Sequence, residues 1–213
     1  MSGFVKILGP QFSTFVRSVM IACEEKGISY EYGMEHNGKP VALASEELLS
    51  LHPYGKIPVL LTEDAVICET ASIIRYLDMN FSGTHLQPDA GLARAEVDQW
   101  SALISRYIDQ AIVRDCLLEF ARPKGENGTV RMDKVEQATP ELQRALDNLS
   151  KQLGDKEYLC GGGFSMADIL LLPMLDYLAG SPLGGLISDT ANLMPYLQRL
   201  RQRESAQKVL RAG

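Results

Sequence analysis

The sequence predicts a small α/β domain followed by an all-helical domain. Three observations support this prediction. The apolar residues form short, mixed patterns up to about residue 80 and long helical stripes beyond it. The first part has the order strand, helix, strand and then strand, strand, helix. Residues 80–89 are rich in Gly, Pro, Ser, Thr and Asn and lack periodicity, which is typical of a linker. We therefore expect domains at residues 1–79 and 90–213.

The first half of the N-terminal domain has the pattern of a βαβ unit. Phe4–Leu8 is an apolar run bounded by glycines, which predicts a buried strand. Phe15–Lys26 carries apolar residues at helical spacing, and Gly27 follows as a stop signal. Ile28–Met34 alternates apolar and polar residues, as one face of a strand does.

The second half follows a polar connection and has the pattern of a hairpin and a helix. Pro58–Thr62 and Ala65–Cys68 predict two short strands, joined by the acidic turn Glu63–Asp64. Helical spacing then continues to about Asn80.

Helical stripes account for the C-terminal domain. Pro140 is expected to start or kink the second helix, and residues 122–128 predict a loop. Phe164–Leu178 and Met194–Leu210 predict two more helices. The apolar stripe of the first helix is Trp100, Leu103, Ile104, Tyr107 and Ala111, and the residues expected to face away from it are Arg94, Asp98, Ser101, Ser105 and Asp109. The second stripe is Leu142, Leu146, Leu149 and Leu153.

The composition argues against several functional classes. The 213 residues carry a net charge of -6 and no basic stripe, so nucleic acid is not an expected partner. No apolar run reaches the roughly 18 residues of a membrane span, and the first residues lack a secretory pattern. Four isolated cysteines form no Cys-x-x-Cys pair and no metal-ligand spacing. We expect a cytoplasmic protein without a metal or a membrane partner.

Four elements resemble the glutathione S-transferase family. Gly9–Val19 is similar to the first helix start of serine- and cysteine-using members, and Pro53–Leu60 resembles the family's Asn-Pro-Phe-Gly-x-Val-Pro-x-Leu loop. Glu69–Thr70 is similar to its Glu-Ser helix start, and Phe164–Asp168 to its Ser-x-Ala-Asp element. The order and spacing match over nearly the whole chain. The resemblance is to a serine-type, bacterial-like cytosolic member and implies a thioredoxin-like N-terminal domain, an all-helical C-terminal domain and a homodimer.

The resemblance implies that the Ser13 hydroxyl donates a hydrogen bond to the sulfur of glutathione. Thr14, the adjacent hydroxyl, is the alternative. By its position alone, Ser13 also fits an ordinary N-cap. Arg17, one turn further on, fits a structural ion pair better than a catalytic role.

In the loop, any X-Pro bond is usually trans, but the resemblance implies a cis bond between Ile57 and Pro58. The Ile57 backbone would then pair with the cysteinyl part of glutathione. Lys56 would reach a glutathione carboxylate, or else is a solvated loop lysine. His52 stands where the family usually has Asn, which bears on how this loop is anchored.

The resemblance further implies that Glu69 accepts the γ-glutamyl ammonium and that Thr70, at a helix start, holds its carboxylate. The alternative is capping, with Thr70 as the N-cap residue. Ser165 and Asp168 fit a structural capping box. Phe12 is expected to face an apolar electrophile.

Tyr107 is the residue expected to contribute to the electrophile site from the helical domain, although both aromatic residues also fit ordinary core positions. The expected activity is attack of the glutathione thiolate on an electrophilic carbon, as in detoxification. Because position 13 is not Cys, thiol transfer through a mixed disulfide is disfavoured. The alternatives are a non-catalytic adaptor or transcription-associated protein, and a glutathione-dependent isomerase or lyase. The double-serine signature of the maleylacetoacetate isomerase branch is absent.

Overall fold

The computed structural model describes residues 4–160 and 162–210. Their contacts define two compact units. The first runs to Pro88 and includes the C-terminal segment from Gln202, and the second is Asp89–Arg201. The predicted combination of an α/β domain and an all-helical domain is confirmed. The predicted boundaries stay a prediction, although the contacts place the end of the chain with the N-terminal part.

The strands lie in the first unit, and the helices are divided between the two units. The strands are β1 (Val5–Leu8), β2 (Glu31–Gly33), β3 (Glu35–His36), β4 (Lys39–Pro40), β5 (Val59–Thr62) and β6 (Val66–Cys68). The helices are α1 (Thr14–Lys26), α2 (Glu46–Leu51), α3 (Thr70–Asn80), α4 (Gly91–Leu103), α5 (Leu118–Ala121), α6 (Met132–Leu153), α7 (Met166–Ala179), α8 (Gly185–Asp189), α9 (Leu193–Arg201) and α10 (Glu204–Leu210). Helices α1, α2, α3 and α10 lie in the first unit, and the other helices lie in the second unit.

A mixed sheet in the order β2-β1-β5-β6 forms the centre of the first unit. β1 runs parallel to β2 and antiparallel to β5, and β5 pairs antiparallel with β6. Apart from the half-buried Lys6 and Thr62, the residues of the two central strands are apolar and buried, as the sequence predicts. Each of their fully buried Val, Ile or Leu side chains contributes roughly 1.5–3 kcal/mol to stability. Phe4 of the predicted Phe4–Leu8 run lies outside β1 and is exposed.

The predicted βαβ unit is confirmed with one shorter strand. α1 ends at Gly27, whose φ of 65° is the left-handed conformation of a helix stop. Only Glu31–Gly33 of the predicted Ile28–Met34 strand pairs with β1. On its C-terminal side β1 ends at Leu8, the partner of Gly33, so Met34 has no residue of β1 to pair with.

The polar connection contains two elements that the sequence pattern does not predict. β3 and β4 form a small hairpin of their own, closed at Asn37 and Gly38 with positive φ. α2 is one and a half turns long and begins at Ser45, whose Oγ accepts the Leu48 N–H at 3.2 Å. Leu48 packs into a cluster with Leu8, and this packing stabilises a helix too short to be stable alone.

In the second unit, α4 continues into two stretches of wider π-helical turns, Ile104–Ile108 and Gln110–Leu117, before α5. The predicted outward face is wrong here, because Ser101 and Asp109 are buried. Ser101 lies in α4 one turn after the buried Val97, so the buried face of α4 is not the predicted stripe. Beyond Leu103 the π-helical turns hold more residues than α-helical ones and rotate the buried face further, toward Asp109. Residues Arg122 to Gly128 form the predicted loop, with a short 3₁₀ turn at its end.

The predicted second and last helices need correction. α6 begins at Met132 and runs through Pro140, which neither starts it nor ends it. The predicted helix Met194–Leu210 is two helices, α9 and α10, and α10 packs on α1 in the first unit.

The capping box at α7 is confirmed, since Asp168 Oδ2 accepts the Ser165 backbone N–H at 2.9 Å. Within the described residues, no helix has the length and apolar character needed to cross a membrane.

Candidate active site

Three chain segments that carry the predicted site residues adjoin the sheet at the same end of its strands. Leu8, the last residue of β1, pairs with Val59, the first of β5, and Val59 pairs with Cys68, the last of β6. The segment after Leu8 leads to Ser13, the segment before Val59 holds Pro58, and the residue after Cys68 is Glu69. The strand register therefore brings these predicted site segments to one end of the sheet.

Gly9 permits the close approach between the end of β1 and α1. A Cβ at this position would lie 2.3 Å from Val16 Cγ2 and 3.6 Å from Ile57 Cβ. A side chain at this position would therefore require Val16 of α1 to shift. Gly9 thus lets the segment before Ser13 lie close to the loop that contains Ile57.

Ser13 is the N-cap residue of α1, as its position predicts. Its backbone is extended, and its Oγ accepts the Val16 N–H at 3.4 Å. A hydroxyl that accepts through a lone pair keeps its own proton for donation. Capping and donation to a bound sulfur are therefore compatible. Thr14, the alternative hydroxyl, is the first helical residue and is buried.

Arg17 is buried, and its Nε donates to the Gln11 carbonyl at 2.9 Å. This bond ties the first turn of α1 to the segment that precedes Ser13. It supports the structural role predicted for Arg17.

The peptide bond between Ile57 and Pro58 is cis, as the resemblance predicts. Pro58 is buried while Ile57 is half-buried and precedes the first paired residue of β5. The Ile57 backbone thus lies near the same end of the sheet as the segments of Ser13 and Glu69. Lys56, the residue before it, is exposed.

Glu69 is the N-cap residue of α3, so the assignment of this role to Thr70 was wrong. Its φ of 67° is unusual for a residue with a side chain, and it provides no side-chain cap. The side chain is 75% exposed. Thr70, the first helical residue, is buried. Because no side chain caps α3, the N–H groups of its first turn are available to an anion.

His52 lies next to Glu69 and was not predicted as a site residue. Its side chain is 3% exposed, and its Nε2 lies 3.7 Å from Glu69 Oε1. Its Nδ1 accepts the Tyr54 N–H at 3.1 Å. The only sequence signal was the departure from Asn at this position.

Phe12 and Tyr107, the two aromatic residues predicted to contact the electrophile, are both exposed. The alternative prediction that they are ordinary core residues is therefore wrong. Phe12 is 60% exposed in the segment before Ser13. Tyr107 is also 60% exposed and lies on the first π-helical stretch, below Arg106, whose guanidinium carbon is 5.6 Å from the ring centre. Tyr107 lines a cavity of about 990 Å³ within the second unit, together with Trp100 and Ala145.

The cysteine thiols are poorly suited to provide a reactive sulfur. Burial, reinforced by Glu24, raises the pKa of Cys23 to about 12, and burial with Asp115 raises the pKa of Cys116 to about 11. The four cysteines are free. Among the residues that the structure describes, no group of three or more His, Cys, Asp or Glu side chains is arranged to hold a metal ion.

Family models match both parts of the chain. A model of the glutathione S-transferase N-terminal domain matches residues 9–85, and a model of the glutathione S-transferase C-terminal domain matches residues 132–199. These matches define a protein class with a thioredoxin-like glutathione-binding domain followed by a helical domain, and they confirm the predicted fold class.

Individual proteins give the same result. Glutathione S-transferase F6 of Arabidopsis thaliana is 27% identical, over 97% of this chain and 99% of the relative. The probable glutathione S-transferase GSTU1 of Oryza sativa subsp. japonica is 35% identical, over 76% of this chain and 68% of the relative. A crystal structure of a poplar glutathione transferase F1 serine-to-cysteine mutant has a TM-score of 0.85 at 25% identity, covering 97% of this chain and 96% of that one. The chain belongs to the glutathione S-transferase family, a family of transferases with glutathione as co-substrate.

Proposed function

We propose that this chain conjugates the thiolate of glutathione to hydrophobic electrophiles, as in detoxification, with Ser13 stabilising the thiolate. The observation that carries the proposal is the strand register, which pairs Leu8 with Val59 and Val59 with Cys68. The segments that contain Ser13, Ile57 and Glu69 therefore all adjoin the same end of the sheet. A tripeptide with two carboxylates, an ammonium and a thiol needs several kinds of partner close together. The segments at this end of the sheet contain a hydroxyl, a carboxylate, main-chain groups and the start of a helix.

In this proposal the γ-glutamyl end of glutathione binds at the start of α3. The Glu69 carboxylate accepts the ammonium, while the Thr70 hydroxyl and the first-turn N–H groups donate to the carboxylate. The support is the exposure of the Glu69 side chain and the lack of a side-chain cap on α3. A helix N-terminus favours an anion by about 0.3–1 kcal/mol.

The cysteinyl part binds along the Ile57 backbone. Ile57 and Pro58 precede Val59, the first paired residue of β5, so the Ile57 N–H and C=O lie outside the strand pairs of the sheet. An extended peptide binds main-chain groups of this kind through strand-like hydrogen bonds. Lys56, exposed on the same loop, donates to a glutathione carboxylate.

The thiol then lies near Ser13, whose hydroxyl donates to the sulfur. A hydrogen bond to a charged group contributes roughly 1.5–3 kcal/mol, and each pKa unit corresponds to about 1.36 kcal/mol. The bond therefore lowers the thiol pKa by about one to two units, from about 8.5 toward 7. The sulfur lone pair attacks the electrophilic carbon, a new S–C bond forms, and the leaving group departs with its electron pair. Ser13 forms no covalent bond in this reaction.

The electrophile contacts apolar side chains, because varied apolar compounds share no polar pattern that a site could read. We assign Phe12 to this role in the first unit and Tyr107 in the second, since both rings are exposed.

The finer classification is part of the same proposal. A serine-type enzyme is supported by the Ser13 geometry and by the poplar relative, in which a serine was the residue chosen for replacement by cysteine. A bacterial-like character lacks such support, because the relatives named above are plant proteins. The homodimer rests on family membership, and the cytoplasmic location on the four free thiols.

The test measures retention of the wild-type protein on immobilised glutathione and then the thiolate absorbance of the bound complex as a function of pH. We expect retention, and a thiolate titration one to two units below that of free glutathione. In Ser13→Ala the titration is expected to return to that of free glutathione. No retention would contradict the proposal as a whole.

Retention with an unchanged titration in Ser13→Ala would contradict only the role of Ser13, and Thr14→Val then tests the adjacent hydroxyl. Retention without turnover of any electrophile would favour a non-catalytic adaptor. Turnover that leaves no glutathione in the product would favour the isomerase or lyase alternative.

A further inference from the structure

His52 is held rigidly at the boundary between α2 and the loop that carries Ile57. Its backbone N–H donates to the Leu48 carbonyl at 2.8 Å, and its own carbonyl accepts the Gly55 N–H at 2.8 Å. Its side chain is buried, in contrast to the exposed Tyr54 that follows. The imidazole therefore has little freedom to reorient.

The hydrogen bond from Tyr54 fixes the tautomer of this ring. The Tyr54 N–H donates to Nδ1, so Nδ1 carries a lone pair and not a proton. In the neutral ring the proton is then on Nε2, the nitrogen that lies 3.7 Å from Glu69 Oε1. The ring nitrogen nearest to the Glu69 carboxylate thus carries a hydrogen and not a lone pair. The separation is longer than a hydrogen bond but close enough for the N–H dipole to attract the charge.

Glu69 needs such support. Its side chain is three-quarters exposed, and its backbone has a positive φ of 67°. A solvated glutamate samples several rotamers, and binding to one ammonium requires it to give up that freedom. A fixed donor beside the carboxylate favours the rotamers that bring Oε1 close to the loop.

The same ring connects the two halves of the glutathione site. His52 begins the loop that ends in the cis Ile57–Pro58 bond, and it contacts the residue that starts α3. Movement of the loop would therefore move the donor that faces Glu69.

We infer that His52 is a positioning residue: through Nε2–H it holds the Glu69 carboxylate where that group accepts the ammonium of glutathione. This inference rests on the proposed function of Glu69. It does not require His52 to touch glutathione or the sulfur.

Two replacements separate the contacts of His52. In His52→Asn the amide oxygen occupies the place of Nδ1 and still accepts from Tyr54, but nothing replaces Nε2–H. In His52→Gln the terminal amide reaches the place of Nε2 and still donates toward Glu69. His85, which is exposed, provides the control His85→Asn for the same chemical change elsewhere in the unit.

The experiment is a double-mutant cycle of His52→Asn and Glu69→Gln, read as the dissociation constant of glutathione by calorimetry. We expect His52→Asn to weaken binding about three- to tenfold when Glu69 is present, and by less than about twofold in the Glu69→Gln background. The KM for glutathione should rise accordingly while kcat at saturating glutathione changes less than about twofold. His52→Gln should restore most of the affinity, and His85→Asn should match the wild type. Nitrogen NMR of the wild type should show the Nε2–H tautomer.

The inference is overturned if His52→Asn binds glutathione as the wild type does. It is also overturned if His52→Asn lowers the affinity by the same factor with and without Glu69, because His52 would then act on the loop and not through Glu69. It is also overturned if His52→Gln is no better than His52→Asn. Loss of binding in Glu69→Gln alone, without coupling to His52, leaves the proposed function intact. Unchanged binding in Glu69→Gln contradicts the role proposed for Glu69 itself.

Discussion

Glu25 and Arg203, 178 residues apart in the chain, form a two-point ion pair. Arg203 Nε donates to Oε1 and Nη2 to Oε2, both at 2.7 Å. Ser205 Oγ adds a third bond to the same carboxylate at 2.5 Å. Arg203 directly precedes α10 and Ser205 lies in its first turn, so these bonds connect the start of α10 to the last turn of α1, the helix that Ser13 begins. The C-terminal helix is therefore part of the packing of the first unit.

This pair makes the stability of the first unit dependent on pH. Burial acts to raise the pKa of Glu25, but the hydrogen bonds from Arg203 and Ser205 outweigh it, and the pKa lies below its ordinary value. A lowered pKa in the folded state stabilises above the unfolded pKa, and this contribution is lost as the pH falls through the folded value. Glu25→Gln should thus lower the free energy of unfolding by roughly 2 kcal/mol at pH 7 and by much less in acid.

Urea unfolding of the wild type and Glu25→Gln at several pH values measures this difference. Glu141→Gln is the control, because its partner Arg144 lies on the same exposed helix face and such pairs contribute at most about 1 kcal/mol. A difference between Glu25→Gln and wild type that is the same at every pH would contradict the prediction.

Replacement of Ser13 should separate capping from chemistry. Ser13 and Ser45 are both N-cap residues whose Oγ accepts an N–H three residues on. Ser13→Ala and Ser45→Ala should therefore each cost about 1 kcal/mol of stability. Only Ser13→Ala should lower kcat/KM at neutral pH, by roughly 10- to 100-fold, since only this hydroxyl donates to the thiolate.

Steady-state kinetics with a chromogenic aryl halide and thermal melting of both variants measure the two effects. The loss in Ser13→Ala should shrink at pH 9, where glutathione ionises without help. An equal loss of activity in Ser45→Ala would mean that capping, and not hydrogen bonding to sulfur, explains the effect.

The sequence predicted the site segments because each follows or precedes a strongly patterned element. Ser13 precedes the periodic residues of α1, and Glu69 follows the hairpin strand that ends at Cys68. The backbone conformation of Glu69 was not predictable, since a positive φ at a glutamate reflects the surrounding fold and not local preference. The contact between His52 and Glu69 depends on how the end of α2 packs beside the end of β6, where Cys68 Sγ donates to the Leu51 carbonyl. No local sequence pattern records this packing.

The missed elements have weak local signals. α2 and the β3–β4 hairpin are short and largely exposed, and Leu48 and Val41 become buried only through packing with the sheet. The π-helical stretch was missed for a different reason. Its extra residue per turn leaves no mark on the composition, so a 3.6-residue pattern placed Asp109 on the wrong face.

Asp168 should be the most sensitive polar position in the second unit. It is fully buried and accepts four hydrogen bonds, two of them from Ser165, one from the Leu159 N–H and one from the Tyr196 hydroxyl at 2.7 Å. Asp168→Ala leaves all these buried donors without an acceptor and should cost more than about 3 kcal/mol. Tyr196→Phe removes one donor and should cost roughly 1–2 kcal/mol.

Chemical denaturation measures both losses. Asp176→Asn, on the same helix, breaks only a partly exposed pair with Arg201 and should cost less than about 1 kcal/mol. If Asp168→Ala destabilised no more than Asp176→Asn, the hydrogen bonds to the buried Asp168 would not stabilise the second unit as predicted.

Thiol reactivity should distinguish Cys68 from the other three cysteines. Burial raises the pKa of Cys160 to about 12, with Asp168 and Glu96 adding to the effect, and Cys23 and Cys116 are similarly buried. Cys68 is half-buried, and its Sγ donates to the Leu51 carbonyl at 3.1 Å. Its pKa is also raised, first by burial and then by Glu69, so its reaction should be slow but faster than that of the others.

Titration of the native protein with Ellman's reagent should therefore show one accessible thiol, absent in Cys68→Ser, before unfolding releases the rest. Because Cys68 directly precedes Glu69, S-methylglutathione should slow this reaction if glutathione binds at the start of α3. The activity of Cys68→Ser should stay close to wild type, since the reacting sulfur belongs to glutathione. Two or more rapidly reacting thiols, or an inactive Cys68→Ser that binds glutathione normally, would show that a protein thiol takes part in the chemistry.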